Sequence, residues 1–160
     1  KKKKKKYEID NNTWVQISKE YKLEERLRKF GHNLAIQGEI IGPGIQKNRY
    51  KRTMKVLFIF GIFDIDKQQY LLGDQERVVI EQLNTIIPLT PRIDAVPKIV
   101  DIDLENIDVE IILKAAERNS LLNPDGWAEG LVFKWAASNG PFGKLSFKAI
   151  NNQYLLKVED

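Results

Sequence analysis

The spacing of hydrophobic residues in the first third of the chain predicts an amphipathic helix. Leu23, Leu27 and Phe30 recur at positions i, i+4 and i+7, which places them on one face of a helix. Ser18 is a plausible N-terminal cap for this helix, because its side chain can accept a hydrogen bond from a free backbone N–H. Gly31 follows the last apolar position and is well suited to end the helix.

Other segments have the composition of strands, with β-branched or aromatic residues and apolar positions that alternate or run together. We predict a turn at Asp66–Gln69, after the strand that ends at Ile65, and a loop at Ala137–Gly143, between the last two strands of the chain. The predicted strands are Tyr7–Ile17 (as one or two short strands), Leu34–Ile41, Met54–Ile65, Ile99–Ile102, Gly130–Ala136 and Lys144–Ile150.

Three further helices are predicted between and after these strands. One begins at Asp74 as its N-cap and ends before a segment whose prolines exclude helix. A second runs from about Ile107 to Leu121, and a short one follows Asn151. The apolar face predicted for the second is Ile111, Ile112, Ala115 and Leu122. The order of elements predicts an α+β fold of mainly antiparallel sheets with flanking helices.

Composition limits the kinds of protein that the chain can be. Its 160 residues suffice for one domain, and it has no apolar run of the ~18 residues that a transmembrane helix needs. Cysteine is absent from the sequence, which excludes disulfides, thiolate metal sites and cysteine nucleophiles. We expect an intracellular, cytoplasmic protein, with a phage or viral source left open.

The net charge of +4 comes from one homopolymer run. Lys1–Lys6 supply six of the 26 basic residues, so the remainder has 20 basic against 22 acidic residues, a net charge of −2. We interpret residues 1–6 as a tag or undefined segment, and residues 7–160 as a single partial domain. The overall charge is therefore weak evidence for nucleic-acid binding.

Five side chains together match the needs of a nucleotide site. Phe60 can stack on a base, and Lys134 and Lys148 can neutralise phosphates. Glu39 and Glu129 can bind a ribose or Mg²⁺. Taken singly, each has a simpler interpretation as a core aromatic, a turn carboxylate or a lysine at a strand edge.

Strand geometry sets a condition on this site. Residues 129 and 134 point to opposite faces of an ideal strand, because side chains alternate. Glu129 and Lys134 can serve one site only if Gly130 distorts the start of the strand, which glycine permits.

The sequences of four segments resemble motifs III, IIIa, IV and V of the RNA ligase family, which belongs to the covalent nucleotidyltransferases. The most specific part is Gly-Glu followed by Gly-Pro-Gly-Ile-Gln, and the resemblance extends from Trp14 to Leu156. The four segments are Gln37–Tyr50, Phe58–Asp66, Glu129–Lys134 and Ser146–Asn151. The resemblance implies an adenylyltransferase fold and ATP-dependent joining of RNA ends.

The resemblance also implies a role for each candidate. Glu39 would contact the ribose of ATP or AMP, and Phe60 would stack on the adenine. Glu129 would help bind Mg²⁺ or Mn²⁺, directly or through water. Lys134 and Lys148 would contact the α-phosphate as catalytic residues. The implied cofactors are ATP and the metal, and the implied partners are RNA ends, including those of a nicked duplex.

The sequence departs from the family pattern in three places. Gly61 and Ser146 stand where several relatives have other polar or charged residues. The family motif Lys-x-Asp-Gly is absent: Asp125-Gly126 supplies the only Asp-Gly, and Asn123 occupies the position of the lysine. We therefore expect a fragment, incomplete at its N-terminus, that does not adenylylate itself. Its parent would join a 5′-phosphate to a 3′-hydroxyl through lysyl-AMP and AMP-RNA.

Two alternatives stay open on the sequence. The first is a DNA ligase or a capping-type nucleotidyltransferase, since Glu-Gly-Leu-Val-Phe-Lys fits those enzymes as well. The second is a non-catalytic relative that binds nucleic acid or a protein, which the missing lysine favours.

Overall fold

The computed structural model describes residues 12–103, 105, 107–134 and 146–158. Among these described residues, those up to 40 and those of 57–95 form one compact unit, and those of 41–56 and from 96 onward form a second. None of the helices in these described ranges is long and apolar enough to cross a bilayer. The helices are α1 (Thr13–Glu20), α2 (Leu23–Phe30), α3 (Asp74–Ile86), α4 (Val109–Ala116) and α5 (Asn152–Val158). The strands are β1 (Leu34–Ile41), β2 (Val56–Asp64), β3 (Gln69–Tyr70), β4 (Asp94–Ala95), β5 (Gly130–Lys134) and β6 (Ser146–Ile150).

Helix α1 replaces part of the first predicted strand. Asn12 caps it, because its Oδ1 accepts a hydrogen bond from Trp14 N at 2.8 Å. Ser18 lies inside α1 and caps no helix, so that prediction was wrong as well. Over Thr13–Ile17 the strand prediction failed, because local β propensity was outweighed by this cap and by burial of Ile17. Residues 7–11 lie outside the described residues.

Helix α2 ends at Gly31 as predicted, with a φ of 79°, but it begins at Leu23 and not directly after Ser18. Its most buried residue is nevertheless Arg26, which is 1% exposed. The guanidinium donates hydrogen bonds to the carbonyls of Tyr21 at 2.9 Å and of Leu83 at 2.8 Å. It also bonds to Asn84 Oδ1, Ile87 O, Thr90 Oγ1 and Pro91 O. Arg26 thus satisfies carbonyls at the C-terminal ends of α1 and α3.

The first unit contains a four-stranded sheet in which β2 is central. Strand order is β1-β2-β3, and β4 also pairs with β2. The β2–β3 pair is antiparallel, with Phe63 opposite Tyr70, whereas β4 runs parallel to β2. The predictions of β1 and β2 are confirmed, and α3 begins at Asp74 itself, after Gly73 as its N-cap. The core side chains of this unit are Ile17, Tyr21, Ile40, Leu57, Phe58, Ile59, Ile62, Ile80, Leu83 and Ile93.

The second unit is built on the antiparallel hairpin of β5 and β6, both of which were predicted. Two other predictions for this unit were wrong. Ile99–Ile102 forms no strand, and α4 is shorter than predicted, beginning after Asp108, whose side chain accepts from Glu110 N at 3.0 Å. The buried position of α4 is Ala116, whereas Ile111 and Ala115 of the predicted apolar face are exposed, so that face was predicted wrongly. The predicted loop Ala137–Gly143 lies outside the described residues.

Candidate functional site

The register of the β5–β6 hairpin places both candidate lysines on one face. Lys134 pairs with Ser146, and Lys148 pairs with Val132. Directly opposed residues of an antiparallel pair lie on the same face, and so do residues two apart along a strand. Phe133 and Phe147 lie on the other face, where their rings stack with centroids 4.8 Å apart. The hairpin therefore presents two cations side by side.

Gly130 brings Glu129 to the lysine face, as the sequence required. Its φ of +153° is a conformation that side-chain-bearing residues rarely adopt. A Cβ at this position would lie 2.1 Å from the carbonyl oxygen of Ala149, so any side chain there would force the backbone to shift. With the backbone turned in this way, Glu129 Oε1 accepts a hydrogen bond from Lys148 Nζ. In an undistorted strand, the Glu129 side chain would point to the face opposite Lys148. With the distortion, the two side chains are in contact.

Arg49 is a second cation on Glu129. Its Nη1 lies 3.7 Å from Glu129 Oε2, and its guanidinium carbon lies 4.8 Å from the centre of the Tyr154 ring. The Arg49 carbonyl accepts a hydrogen bond from Asn123 Nδ2 at 2.9 Å. The preceding Gln46–Asn48 turn has positive φ at all three residues, a strained conformation that fixes the entry of the chain into Arg49.

Asn151 holds the backbone beside Glu129. It is fully buried, and its Nδ2 donates to Ala128 O at 2.9 Å. Its own N–H donates to Glu129 O at 3.0 Å. Its Oδ1 accepts from Gln153 N at 2.9 Å, which caps α5. One side chain therefore joins the start of β5, the end of β6 and the helix that carries Tyr154.

Glu39 and Phe60 lie in the first unit, on the neighbouring strands β1 and β2. Glu39 is exposed, since β1 alternates between half-buried and exposed residues along most of its length. Phe60 is 37% exposed, whereas its β2 neighbours Ile59 and Ile62 are buried. Both candidates are therefore accessible to a ligand.

The donor set limits how a metal ion can bind. Within the described ranges, no group of three or more His, Cys, Asp or Glu side chains is arranged to hold a metal. Mg²⁺ commonly binds through one or two carboxylates together with substrate phosphates. Glu129, a carboxylate beside the cations Lys148 and Arg49, fits that mode of binding.

Comparison with known proteins identifies the family. A sequence model of the RNA ligase family matches residues 3–150. The chain belongs to the RNA ligase family. This confirms the resemblance that the four motifs indicated. No curated protein matches the chain significantly.

Solved RNA ligases share the fold. A variant of Naegleria gruberi RNA ligase with AMP and Mn is 39% identical, with a TM-score of 0.79 over 91% of this chain and 40% of that one. A second variant, with ATP and Mn, is 40% identical with a TM-score of 0.77 over 89% and 40%. The same enzyme with pyrophosphate is 40% identical with a TM-score of 0.78 over 91% and 40%. The α+β nucleotidyltransferase fold is confirmed, and this chain spans about two fifths of these RNA ligases.

Sequence reasoning missed Arg49 and Asn151 as members of the cluster around Glu129. Arg49 lies in the glycine-rich motif, but it resembles any charged loop residue, and its contacts are made with distant parts of the chain. Asn151 closes the lysine motif, and its position directly after a strand was the one available signal. Its burial could not be inferred from spacing.

Proposed function

We propose that this chain is nucleotide-binding machinery of an ATP-dependent RNA ligase. The observation that carries the proposal is the hairpin cluster, in which Lys148 and Arg49 both contact Glu129 and Lys134 shares the face of Lys148. Family membership and the ATP, AMP and pyrophosphate complexes of the Naegleria gruberi enzyme support the identity of the ligand.

Each candidate residue has a role in this proposal. Phe60 offers an exposed aromatic face to adenine, and Glu39 accepts hydrogen bonds from ribose hydroxyls. Lys134 and Lys148 bind the α-phosphate, where ammonium groups act as point charges. Glu129 holds Mg²⁺ or Mn²⁺, which when bound neutralises phosphate charge.

These residues act by positioning and by charge. Phosphoryl transfer depends mainly on holding the reacting groups in line and on stabilising negative charge. Strand pairing fixes the backbone of Lys134 and Lys148, and the ammonium group of Lys148 is also held by Glu129. Gly130 and Asn151 fix the backbone on either side of Glu129. The arrangement suits binding and orienting a nucleotide phosphate.

The RNA partner is proposed at two levels. RNA ends are the substrates that family membership implies, and the ends of a nicked duplex are the more specific proposal. We also propose an intracellular, cytoplasmic setting, because ATP and RNA ends occur together there. Sealing assays with pre-adenylylated RNA, as single strands and as nicked duplexes, compare the two kinds of end. Preference for a DNA 3′ end would favour a DNA ligase.

Direct binding of radiolabelled ATP with Mn²⁺ tests the central proposal. The 160-residue chain should bind ATP, and Lys148→Met should weaken binding about tenfold or more, as expected for one charge-assisted contact. Lys51→Met is a matched control, because Lys51 pairs with Asp125 at 3.0 Å on an exposed part of the same unit. The absence of ATP binding by the wild-type chain would refute the proposal.

Covalent labelling gives an independent readout. No Lys-x-Asp-Gly occurs in the 160 residues, so we expect no acid-stable bond between the protein and AMP. A labelled protein after denaturation in acid would show that another lysine acts as the nucleophile. Such an attack requires a lysine with a free amine. Peptide mapping would identify the labelled residue.

A further inference from the structure

Glu129 has a different cation on each of its carboxylate oxygens. Lys148 Nζ bonds to Oε1, and Arg49 Nη1 lies 3.7 Å from Oε2. The three side chains are between 32% and 44% exposed. Two positive charges therefore face one negative charge, which leaves the cluster with a net charge of +1.

Arg49 is held in place more firmly than an ordinary surface arginine. Its guanidinium lies over Tyr154, and its backbone carbonyl is bonded to Asn123. The side chain of Lys51, two residues away, pairs with Asp125, and these two side chains are 67% and 78% exposed. Ordering an arginine in this way has an entropic cost, which a ligand contact would offset.

A divalent metal alone is poorly accommodated by this cluster. Both oxygens of Glu129 are already engaged by cations, and a bound metal would be repelled by Lys148 and Arg49. A polyphosphate removes that obstacle, because its oxygens attract the same two cations. Arg49 suits this exchange, since its planar fork bonds phosphate and carboxylate oxygens with similar geometry.

We propose that Arg49 is a phosphate-binding residue of this site. Without a ligand, the Arg49 guanidinium pairs with Glu129. When a nucleotide binds, the guanidinium moves to a phosphate, and Oε2 of Glu129 becomes available to the metal. The inference rests on the proposed nucleotide function. Its consequence is positive coupling: ATP tightens Mn²⁺ binding, and Mn²⁺ tightens ATP binding by the same factor.

The first test measures ATP binding without metal by calorimetry. Arg49→Met, which keeps an apolar stem under Tyr154, should weaken ATP binding about tenfold. Lys51→Met should change it by less than about twofold, as expected for an exposed surface pair. Arg49→Lys keeps the charge but loses the fork, and should lie between wild type and Arg49→Met. It also serves if Arg49→Met fails to fold.

A double variant separates phosphate binding from support of Glu129. In a Glu129→Gln background, Arg49→Met should still weaken ATP binding by the same factor, because the phosphate contact does not need the carboxylate. If the effect of Arg49→Met vanishes in that background, Arg49 only orients Glu129 and the proposal is overturned.

For Mn²⁺ in the absence of ATP, we expect Arg49→Met to have the opposite effect on affinity. The electron paramagnetic resonance signal of the free ion measures this binding. Arg49→Met should bind Mn²⁺ several times more tightly than wild type, because one repelling charge is gone. Weaker Mn²⁺ binding by Arg49→Met would overturn the proposal. If the wild-type chain binds ATP and Arg49→Met binds it with the same affinity, this inference alone is refuted. If the wild-type chain does not bind ATP, the proposed nucleotide function is refuted as well.

Discussion

Arg26 and Arg49 show two different uses of a partly or wholly buried arginine. Arg26 is 1% exposed, and the acceptors that the structure gives it are neutral backbone and side-chain oxygens. Arg49 is 32% exposed and faces a carboxylate and an aromatic ring. Releasing Arg26 would leave buried carbonyls unsatisfied, whereas a half-exposed ion pair can exchange partners at small cost. The first arrangement stabilises the unit, and the second stays available to a ligand.

The position of Arg26 in its helix explains its burial. It lies three residues after Leu23 and four before Phe30, so it shares the face of the apolar stripe. Burial lowers the pKa of its guanidinium from the ordinary value. The six acceptors around it compensate the loss of water, so that a charge stands where the stripe alone would predict a hydrophobic residue.

Arg26→Met should cause the largest loss of stability. Several buried acceptors lose charge-assisted hydrogen bonds at once, and we expect the free energy of unfolding to fall by about 3 to 5 kcal/mol. Urea denaturation followed by circular dichroism measures the change. Arg49→Met should lower the same free energy by less than about 1 kcal/mol, the usual value of an exposed pair.

Arg28→Met is the matched control within α2. Arg28 pairs with Glu24 at 2.9 Å, but both side chains are 77% exposed. We expect a change of about 0.5 kcal/mol or less for it. Equal losses for Arg26→Met and Arg49→Met would show that the two arginines do not differ as we describe.

Gly130→Ala should come next, since it alters a fixed part of the ligand-facing region. The added methyl would meet Ala149 O at 2.1 Å, and the φ of +153° is strained for alanine. We expect a loss of about 2 to 3 kcal/mol in stability. ATP binding should fall as well, because Glu129 would turn away from Lys148.

Gly44→Ala controls for the backbone effect alone. Gly44 also has a positive φ, of +79°, but a methyl group there would meet nothing within 4 Å. It should cost about 1 kcal/mol and leave ATP binding unchanged. If both glycine variants bind ATP as the wild-type chain does, the distortion at Gly130 is not needed for the site.

The sequence predicted the parts of the fold whose signals are local. Strand β1 has the predicted bounds, and helix α2 has the predicted end at Gly31. The condition that Gly130 must distort its strand came from alternation alone, and its φ of +153° agrees. The family motifs were recognisable because they contain glycines and charges in unusual order.

Other parts depend on contacts that a single sequence does not show. Val15 and Ile17 favour strand locally, yet the Asn12 cap and the burial of Ile17 make the segment helical. Ile99–Ile102 has strand composition but, among the described residues, pairs with no strand. The contacts of Arg49 with residues 129 and 154 join segments about half the chain apart. Contacts between distant segments determine both the secondary structure of these segments and the membership of the site. A single sequence does not show such contacts, so these strand predictions were wrong and Arg49 was missed.

Asp64 gives the smallest effect and a pH dependence. Its Oδ1 accepts from Lys67 N at 2.9 Å, and its Oδ2 lies 3.4 Å from Lys67 Nζ. The backbone N–H of Lys67, more than the ammonium charge, lowers the pKa of Asp64 below its ordinary value. A lowered pKa in the folded state stabilises the protein above the unfolded value of about 3.9, and this contribution is lost as pH falls through the folded value.

Asp64→Asn should therefore be less stable than wild type at about pH 6, and the difference should shrink as pH falls below the unfolded pKa of about 3.9 and through the lower folded pKa. Urea midpoints of the two proteins across that range measure it. Lys67→Met should keep most of the pH dependence, because the backbone N–H remains to bond the carboxylate. If Lys67→Met abolished it, the ammonium charge would be the main partner, and Asp64 would resemble Glu129 in relying on a mobile side chain instead of a fixed backbone group.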